Sequence, residues 1–402
     1  MTRWPVLTGL GALALITYID RAAISSAKDH IGSDLGLNDQ AMGAVFSGFA
    51  LGYALAQAPA GWLADRFGPR WLLAGAVALW SVLTALTGVV SSLSLLLGVR
   101  FAFGVVEAAA FPGSARVIYD ALPSSQHGRA HGLIFAASRI GAAGAFPVMA
   151  WLLTGGWRFA FFALAIPGLI WAALWAVLFR DQRSAHAERG QSQTAKGPGF
   201  DKIWVLVMIQ YFGVNFVTFL TLSWMNPYLK RRYSLTDIEA AGWTVVPLLV
   251  GALAQTAAGT ITDRLYKARY KAWCRALPAM IGFSISTIGL LALSGADTVQ
   301  AAVAAFGVAA FGAEMTISPS WAFCLDYGRQ RSGVMTGTMN MAGNIGSFVS
   351  ANAFPALAGA NGVATAYFAL VAVLNTIAIV CWFWMTKAIQ RGSSIDYKAA
   401  SI

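Results

Sequence analysis

Apolar residues run along this chain in long blocks separated by short polar joints. Twelve blocks can be drawn, near 4–26, 40–62, 70–91, 93–117, 129–154, 157–179, 203–229, 240–262, 273–294, 298–323, 332–357 and 363–387. Each is about as long as a helix needs to cross the hydrocarbon core, roughly 20 residues. Most joints hold only a few residues. The exception, 181–202, is rich in Gln, Ser, Gly and charge. It reads as a cytoplasmic linker between two six-helix bundles, 1–180 and 203–402. The first block, Trp4–Ile19, could be the core of a cleaved leader. However, Asp20-Arg21 follows directly and no small-x-small cleavage pattern appears, so a retained first helix is expected.

Composition agrees. Of 402 residues, 57% are apolar and only 11% charged, with a mean hydropathy of +0.62. So little charge cannot cover a water-facing surface, and the 12% aromatic content argues against disorder. An all-α membrane protein follows. The net charge of +11 would suggest nucleic acid in a soluble chain. Here it reads as cytoplasmic loops. With the N-terminus inside, 20 of the 28 basic residues fall on cytoplasmic segments and five on external ones, Lys28, Arg158, Lys230, Arg231 and Arg232. Both termini are then cytoplasmic. Three scattered cysteines without a CxxC pair and four histidines without ligand spacing predict neither disulfide framework nor metal site.

The two halves repeat. Gly61-Trp-Leu-Ala-Asp65-Arg66 matches Gly259-Thr-Ile-Thr-Asp263-Arg264 at an offset of 198 residues. Phe103-Gly104, Glu107 and Pro112 match Phe311-Gly312, Glu314 and Pro319, and each glutamate stands five residues before its proline. Gly132 and Gly141 match Gly337 and Gly346 at an offset of 205. Parallel six-helix repeats are a transporter architecture.

The segment Gly61-Trp-Leu-Ala-Asp65-Arg66-Phe-Gly68-Pro-Arg70 resembles the loop signature of the major facilitator superfamily. Five further segments make the chain similar to the anion:cation symporters within it. They are Tyr18-Ile-Asp20-Arg21, Phe46-Ser47 with Gly52-Tyr53, Gly104-Val-Val-Glu107 with Pro112, Ser318-Pro319-Ser320-Trp321, and Met339-Asn340-Met341-Ala342-Gly343-Asn344 with Gly346. The resemblance implies two pseudo-symmetric bundles and an importer of sugar acids or other carboxylates driven by protons. It implies a carboxylate-binding arginine at Arg21, a functional glutamate at Glu107, and binding positions at Tyr53, Trp321 and Asn344. Asp65, Arg66, Arg70 and their copies Asp263 and Arg264 are expected to form the cytoplasmic gate. There Asp65 is placed to meet a helix N-terminus or an arginine.

Six charges fall inside predicted helices: Asp20, Arg21, Arg100, Glu107, Arg139 and Glu314. Each costs at least about 2.5–3.5 kcal/mol at mid-bilayer, so each needs a reason. The planar fork of Arg21 matches a carboxylate in two parallel hydrogen bonds, although a snorkelling arginine at the helix end is the alternative. Asp20 is either a second proton site or a structural ion pair; burial and a neighbouring arginine pull on its proton in opposite senses. Glu107 is the first choice for the coupling proton. Arg100, two turns before it on the same face, is its expected structural partner. Arg139 is a second cation suited to a dicarboxylate, or a packing arginine. Asn344 is its counterpart in the repeat, able with Asn340 to bind hydroxyls without adding charge. Gln57 and Asn215 are further uncharged candidates. Glu314 has no nearby basic residue on its own helix; it is neutral, pairs across helices, or is a second proton site, and the sequence does not decide among these.

The expected function is proton-coupled uptake of a small organic anion, a sugar acid or hydroxy-carboxylate, by alternating access in a bacterial inner membrane. The proton gradient takes the place of a cofactor, and a monomer suffices. A facilitative anion uniporter remains open. A drug:proton antiporter fits less well, since its helix-5 G-P-x-x-G-G element is not matched by Gly141-Ala-Ala-Gly144-Ala-Phe-Pro147. Nothing supports an enzyme, and the loops are too short for the output domain of a sensor.

Overall fold

The computed structural model describes residues 3–180, 199–235, 237–268, 273–357 and 364–391. Most of the expected linker, 181–198, lies outside them. The chain forms α1 (Arg3–Ser26), α2 (Lys28–Leu35), α3 (Asp39–Phe67), α4 (Pro69–Thr87), α5 (Leu93–Glu107), α6 (Ala110–Ala121), α7 (His127–Leu152) and α8 (Trp157–Leu178). The same order returns in α9 (Lys202–Phe219), α10 (Met225–Tyr233), α11 (Asp237–Lys267), α12 (Ala276–Ser294), α13 (Val299–Met315), α14 (Ile317–Gly328), α15 (Ser332–Leu357) and α16 (Thr365–Arg391). No strand occurs among the described residues.

Eleven segments among the described residues are long and apolar enough to cross a membrane. One of them, Val299–Phe354, has 56 residues and contains two crossings. They part at the 3-10 turn Arg329–Arg331, where Arg329 takes a φ of 50°. The fold is therefore the expected all-α membrane architecture of twelve crossings. Large apolar side chains such as Leu55, Trp151, Val177, Leu253 and Phe348 face outward, as lipid contact requires and water would not allow.

Two blocks that read as single helices are broken, and at the same place in each repeat. The crossing at 93–121 stops after Glu107 and resumes at Ala110; the one at 299–328 stops after Met315 and resumes at Ile317. Pro112 and Pro319 explain both breaks. A proline ring clashes with the carbonyl four residues earlier and offers no N–H to it. Those carbonyls belong to Ala108 and Met315. The backbone tightens there into three-residue bonds, Ala109 to Val106 and Thr316 to Ala313. Each break leaves a glutamate, Glu107 or Glu314, in the last turn of the half before it. Where α3 meets α4, Gly68 holds a φ of 85°, a conformation glycine adopts without steric cost.

The chain divides into two compact units. The first comprises Met1–Pro123, Leu133–Gly197 and Leu325–Met341; the second comprises Ser124–Gly132, Pro198–Cys324 and Ala342–Ile402. Each unit thus includes the opening turns of a helix that the sequence division gives to the other half, α15 in the first and α7 in the second. In the first unit α3 packs on α5 and α4 on α8, with a core that includes Ile24, Val45, Leu96, Met149 and Phe161. In the second, α12 packs on α13 and α16, around Phe216, Leu290, Phe306, Tyr367 and Phe368.

Candidate functional site

Four of the six intramembrane charges meet in the first unit. The Arg21 Nε–H donates to Glu107 Oε2 at 2.8 Å. Glu107 is fully buried, whereas the Arg21 side chain keeps 21% exposure. The direct partner of Glu107 is therefore Arg21 on α1 and not Arg100, which shares its own helix. Arg100 stands farther off, with its guanidinium 4.6 Å from the Phe103 ring centre and 5.1 Å from that of Phe49. Asp20 is buried among Trp80, Arg100 and Glu107. Two acids and two arginines give the cluster no net charge, which is how so much charge is tolerated in low dielectric.

Aromatic rings surround the Arg21 guanidinium. Its carbon lies 4.3 Å from the Tyr53 ring centre, 5.1 Å from Tyr18, 5.5 Å from Phe49 and 6.0 Å from Phe111. Such faces attract a cation and exclude water from it. With Nε committed to Glu107, the two terminal nitrogens form the outer edge of the fork, and Nη2 is buried without a hydrogen-bond partner. The second carboxylate oxygen of Glu107, Oε1, also has none. An arginine with one edge held and another edge available can receive a second carboxylate end-on.

A polar path continues from the cage. The Asn340 amide, from the part of α15 in this unit, donates to Gln57 Oε1 at 3.0 Å and reaches Tyr53 Oη at 3.5 Å. Arg139 is half-buried on α7. Its place follows from packing. Gly141 lies against the Leu15 backbone, which sets α7 beside α1. Phe135, one turn before Arg139 on the same helix face, stacks on Phe111 at 5.4 Å, and Phe111 is part of the cage. Arg139 therefore follows the cage by one helical turn.

The aspartates of the loop signature cap helices. Asp65 accepts from the backbone N–H of Gly333 at 2.8 Å and of Val334 at 2.7 Å, in the first turn of α15. Asp263 accepts from Gly128 at 3.0 Å and Arg129 at 2.8 Å, in the first turn of α7. A helix N-terminus has unpaired N–H groups and a positive dipole end, so a carboxylate suits it. Gly61 lies against Gly333, and Gly259 against Gly128, so closely that no side chain fits. The arginines beside these aspartates were not legible from the signature. Arg116 approaches Asp65 at 3.5 Å and Arg275 approaches Asp263 at 3.2 Å. Arg116 comes from α6 and Arg275 from the turn before α12, yet each also donates to a backbone carbonyl in the turn before the capped helix, Gln330 or Ser124. Arg66 instead lies over Trp62 and Phe67, Arg70 donates to the Ala176 carbonyl at the end of α8, and Arg264 is exposed.

In the second unit Trp321 is buried and its indole N–H donates to Tyr211 Oη at 2.7 Å. His131 lies 5.5 Å from the same indole. Asn344 is half-buried, and Asn215 bonds the Tyr211 carbonyl. Glu314 is buried and receives a hydrogen bond from Gln255 Nε2.

No group of His, Cys, Asp and Glu among the described residues could hold a metal ion. The family model of the Major Facilitator Superfamily matches residues 10–351. A probable sulfoacetate transporter of Cupriavidus necator is 30% identical over 370 residues, 87% of this chain and 86% of that one. A probable galactarate/D-glucarate transporter of Bacillus subtilis is 27% identical over 97% of this chain and 93% of its own. Among solved structures, a proton:xylose symporter bound to 6-bromo-6-deoxy-D-glucose superposes with a TM-score of 0.72 at 16% identity, covering 96% of this chain and 95% of that one.

Proposed function

The chain belongs to the Major Facilitator Superfamily, and from that premise we propose that it imports a small organic acid anion together with protons. It is a transporter and not an enzyme, and both relatives named above are described as probable transporters of acids. The observation that carries the reading is the half-used fork of Arg21. Glu107 holds Nε, and Nη2 is buried with no partner. A substrate carboxylate binds the outer edge, with its hydroxyls reaching Tyr53 and Asn340.

Charge balance links the anion to the proton. The cluster of Asp20, Arg21, Arg100 and Glu107 is neutral as it stands. An added monoanion would leave an uncompensated charge in low dielectric, which is costly. A proton on Glu107 removes that cost and releases Nε of Arg21 to the substrate. Asp20 offers a second place for a proton when the substrate brings two negative charges. Arg139, one turn beyond the cage, then meets the far end of a sugar diacid or a sulfonated acid. The site is exposed in turn to the two sides of a bacterial inner membrane, with both chain termini in the cytoplasm. Asp65 and Asp263 gate the cytoplasmic side by holding or releasing the helix starts they cap. The protein acts as a monomer.

Uptake into proteoliposomes, measured for a panel of carboxylates with and without an inward proton gradient, tests this. Accumulation of a sugar acid or hydroxy-carboxylate only with the gradient is the expected result. Equal uptake without it would make the protein a uniporter, and no uptake of any acid would sink the proposal.

A further inference from the structure

We infer that Gln57 is a positioning residue for the coupling acid: it receives the Glu107 carboxyl when a substrate carboxylate takes the Arg21 fork. This rests on the symport reading and adds where the displaced acid goes. The two residues lie on α3 and α5, which pack side by side and run in the same direction. Gly48 backs onto Leu97, Gly52 onto Phe101, and Gly104 onto the main chain at Phe49 and Tyr53, so positions rise together along both helices. One turn beyond the contact of Gly104 with Tyr53 come Glu107 and Gln57, at one level. Gln57 follows Tyr53 on the same face of α3, the face whose Tyr53 ring meets Arg21.

Each side of this pair has one polar atom to spare. Glu107 gives Oε2 to Arg21, and its Oε1 has no hydrogen-bond partner. Gln57 gives Oε1 to Asn340, and its Nε2 has none. Both spare atoms are buried, one accepts and the other donates, and they do not bond while Arg21 holds the acid. Unmet buried polar atoms are costly, so an acid freed from Arg21 gains by turning to the amide. The contact with Asn340 need not break, since Gln57 offers its two amide ends to different partners. The bond also survives protonation of Glu107, because the carbonyl oxygen of the acid still accepts from the amide N–H.

The second repeat holds the same two residue types already joined. Gln255 stands 198 residues after Gln57, the offset of the loop signatures, and Glu314 precedes its proline break as Glu107 does. There Gln255 Nε2 donates to Glu314 Oε2. The helix that matches α1 in that half, α9, carries no arginine. Where no arginine competes from that helix, the acid meets the glutamine. The C-terminal repeat thus displays the pairing that the N-terminal repeat reaches once substrate occupies Arg21. Gln57 is also where α3 meets α15: Gly337 lies against its carbonyl, one turn after the Gly333 N–H that Asp65 caps. Arrival of the acid at Gln57 thereby reports an occupied site to the cytoplasmic gate.

A double-mutant cycle on the full-length purified protein tests this, with the tightest-binding member of a panel of sugar monoacids and diacids as the probe. Gln57→Leu should raise its Kd about five- to tenfold, because the bound state then leaves the Glu107 carboxyl unmet. In a Glu107→Ala background the same change should alter Kd by less than about twofold. An equal loss in both backgrounds, or no loss in the wild-type background, would overturn the inference. Infrared difference spectra of bound minus free protein give a second reading. The protonated-carboxyl band that disappears in Glu107→Gln should move to higher wavenumber in Gln57→Leu, as a carbonyl does on losing a donor. A band that stays in place also overturns the inference. Gln57→Met serves in either measurement should the leucine variant not fold. Failure of the wild type to couple protons would sink the symport reading alone, since the cycle is read from binding.

Discussion

Gln57 and Gln255 stand 198 residues apart at the same place in the two repeats, and each holds a different partner. Gln57 accepts from Asn340, next to the arginine cage; Gln255 donates to the buried carboxylate of Glu314. One position of the repeat thus serves two uses, one beside the arginine cage and one at an acid.

Replacing Glu107 by Gln removes the proposed proton carrier but keeps the volume and one hydrogen-bond acceptor for Arg21. Accumulation against a gradient should vanish, whereas exchange of labelled for unlabelled substrate across the membrane should continue. Counterflow assays distinguish the two. Loss of both activities would make Glu107 a structural partner of Arg21.

Arg21→Lys keeps the charge but loses the fork. A charge-assisted hydrogen bond contributes about 1.5–3 kcal/mol, so the loss of one should raise the substrate Kd roughly ten- to hundredfold. Arg21→Ala should abolish measurable binding in a thermal-shift titration. Unaltered binding would assign Arg21 to the gate.

Arg139→Gln tests the second cation. It should weaken binding of diacids and sulfonated acids at least tenfold while leaving monocarboxylates within about threefold. Equal losses for both classes would make Arg139 a packing residue. Competition of each acid against one labelled substrate gives the comparison directly.

Gly333→Ala and Gly128→Ala probe the caps. A methyl group at Gly333 would sit 2.7 Å from Asp65 Oδ1, and one at Gly128 would sit 2.9 Å from Asp263 Oδ1. Either change should push the capped helix off its aspartate and cost about 0.5–2 kcal/mol, the range for a lost N-cap. The melting temperature should drop by a few degrees in each and by about the sum in the double variant.

Much of this organisation was legible in the sequence because the bilayer sets block length and a duplicated motif betrays the repeat. The blocks at 93–117 and 298–323 could not show their breaks by hydropathy, since both sides of each break are equally apolar; Pro112 and Pro319 carried that information. The pairing of Glu107 with Arg21 was obscured by Arg100, seven residues away on one helix face, because helix periodicity reports neighbours within a helix and not across helices. The cage around Arg21 was invisible for another reason. Phe49 and Phe111 are two of 24 phenylalanines, and nothing in the local pattern separates them from the others. The loop signature located Asp65 and Asp263 but not Arg116 or Arg275, which reach them from α6 and from the turn before α12.

Beside the guanidinium contacts of Arg116 and Arg275, the capping donors that Asp65 and Asp263 receive belong to the main chain. Every residue except proline brings the same N–H to positions 333, 334, 128 and 129, so the receiving side of each contact is encoded by small size and not by chemistry. On that side an aspartate leaves no compensating partner to change when it changes; the side chains it meets are those of Arg116 and Arg275. Correlated substitution between distant positions will therefore pass over the backbone caps, however tightly they hold, and will show instead in the arginines Arg116 and Arg275 beside each aspartate and in the paired glycines Gly61 with Gly333 and Gly259 with Gly128.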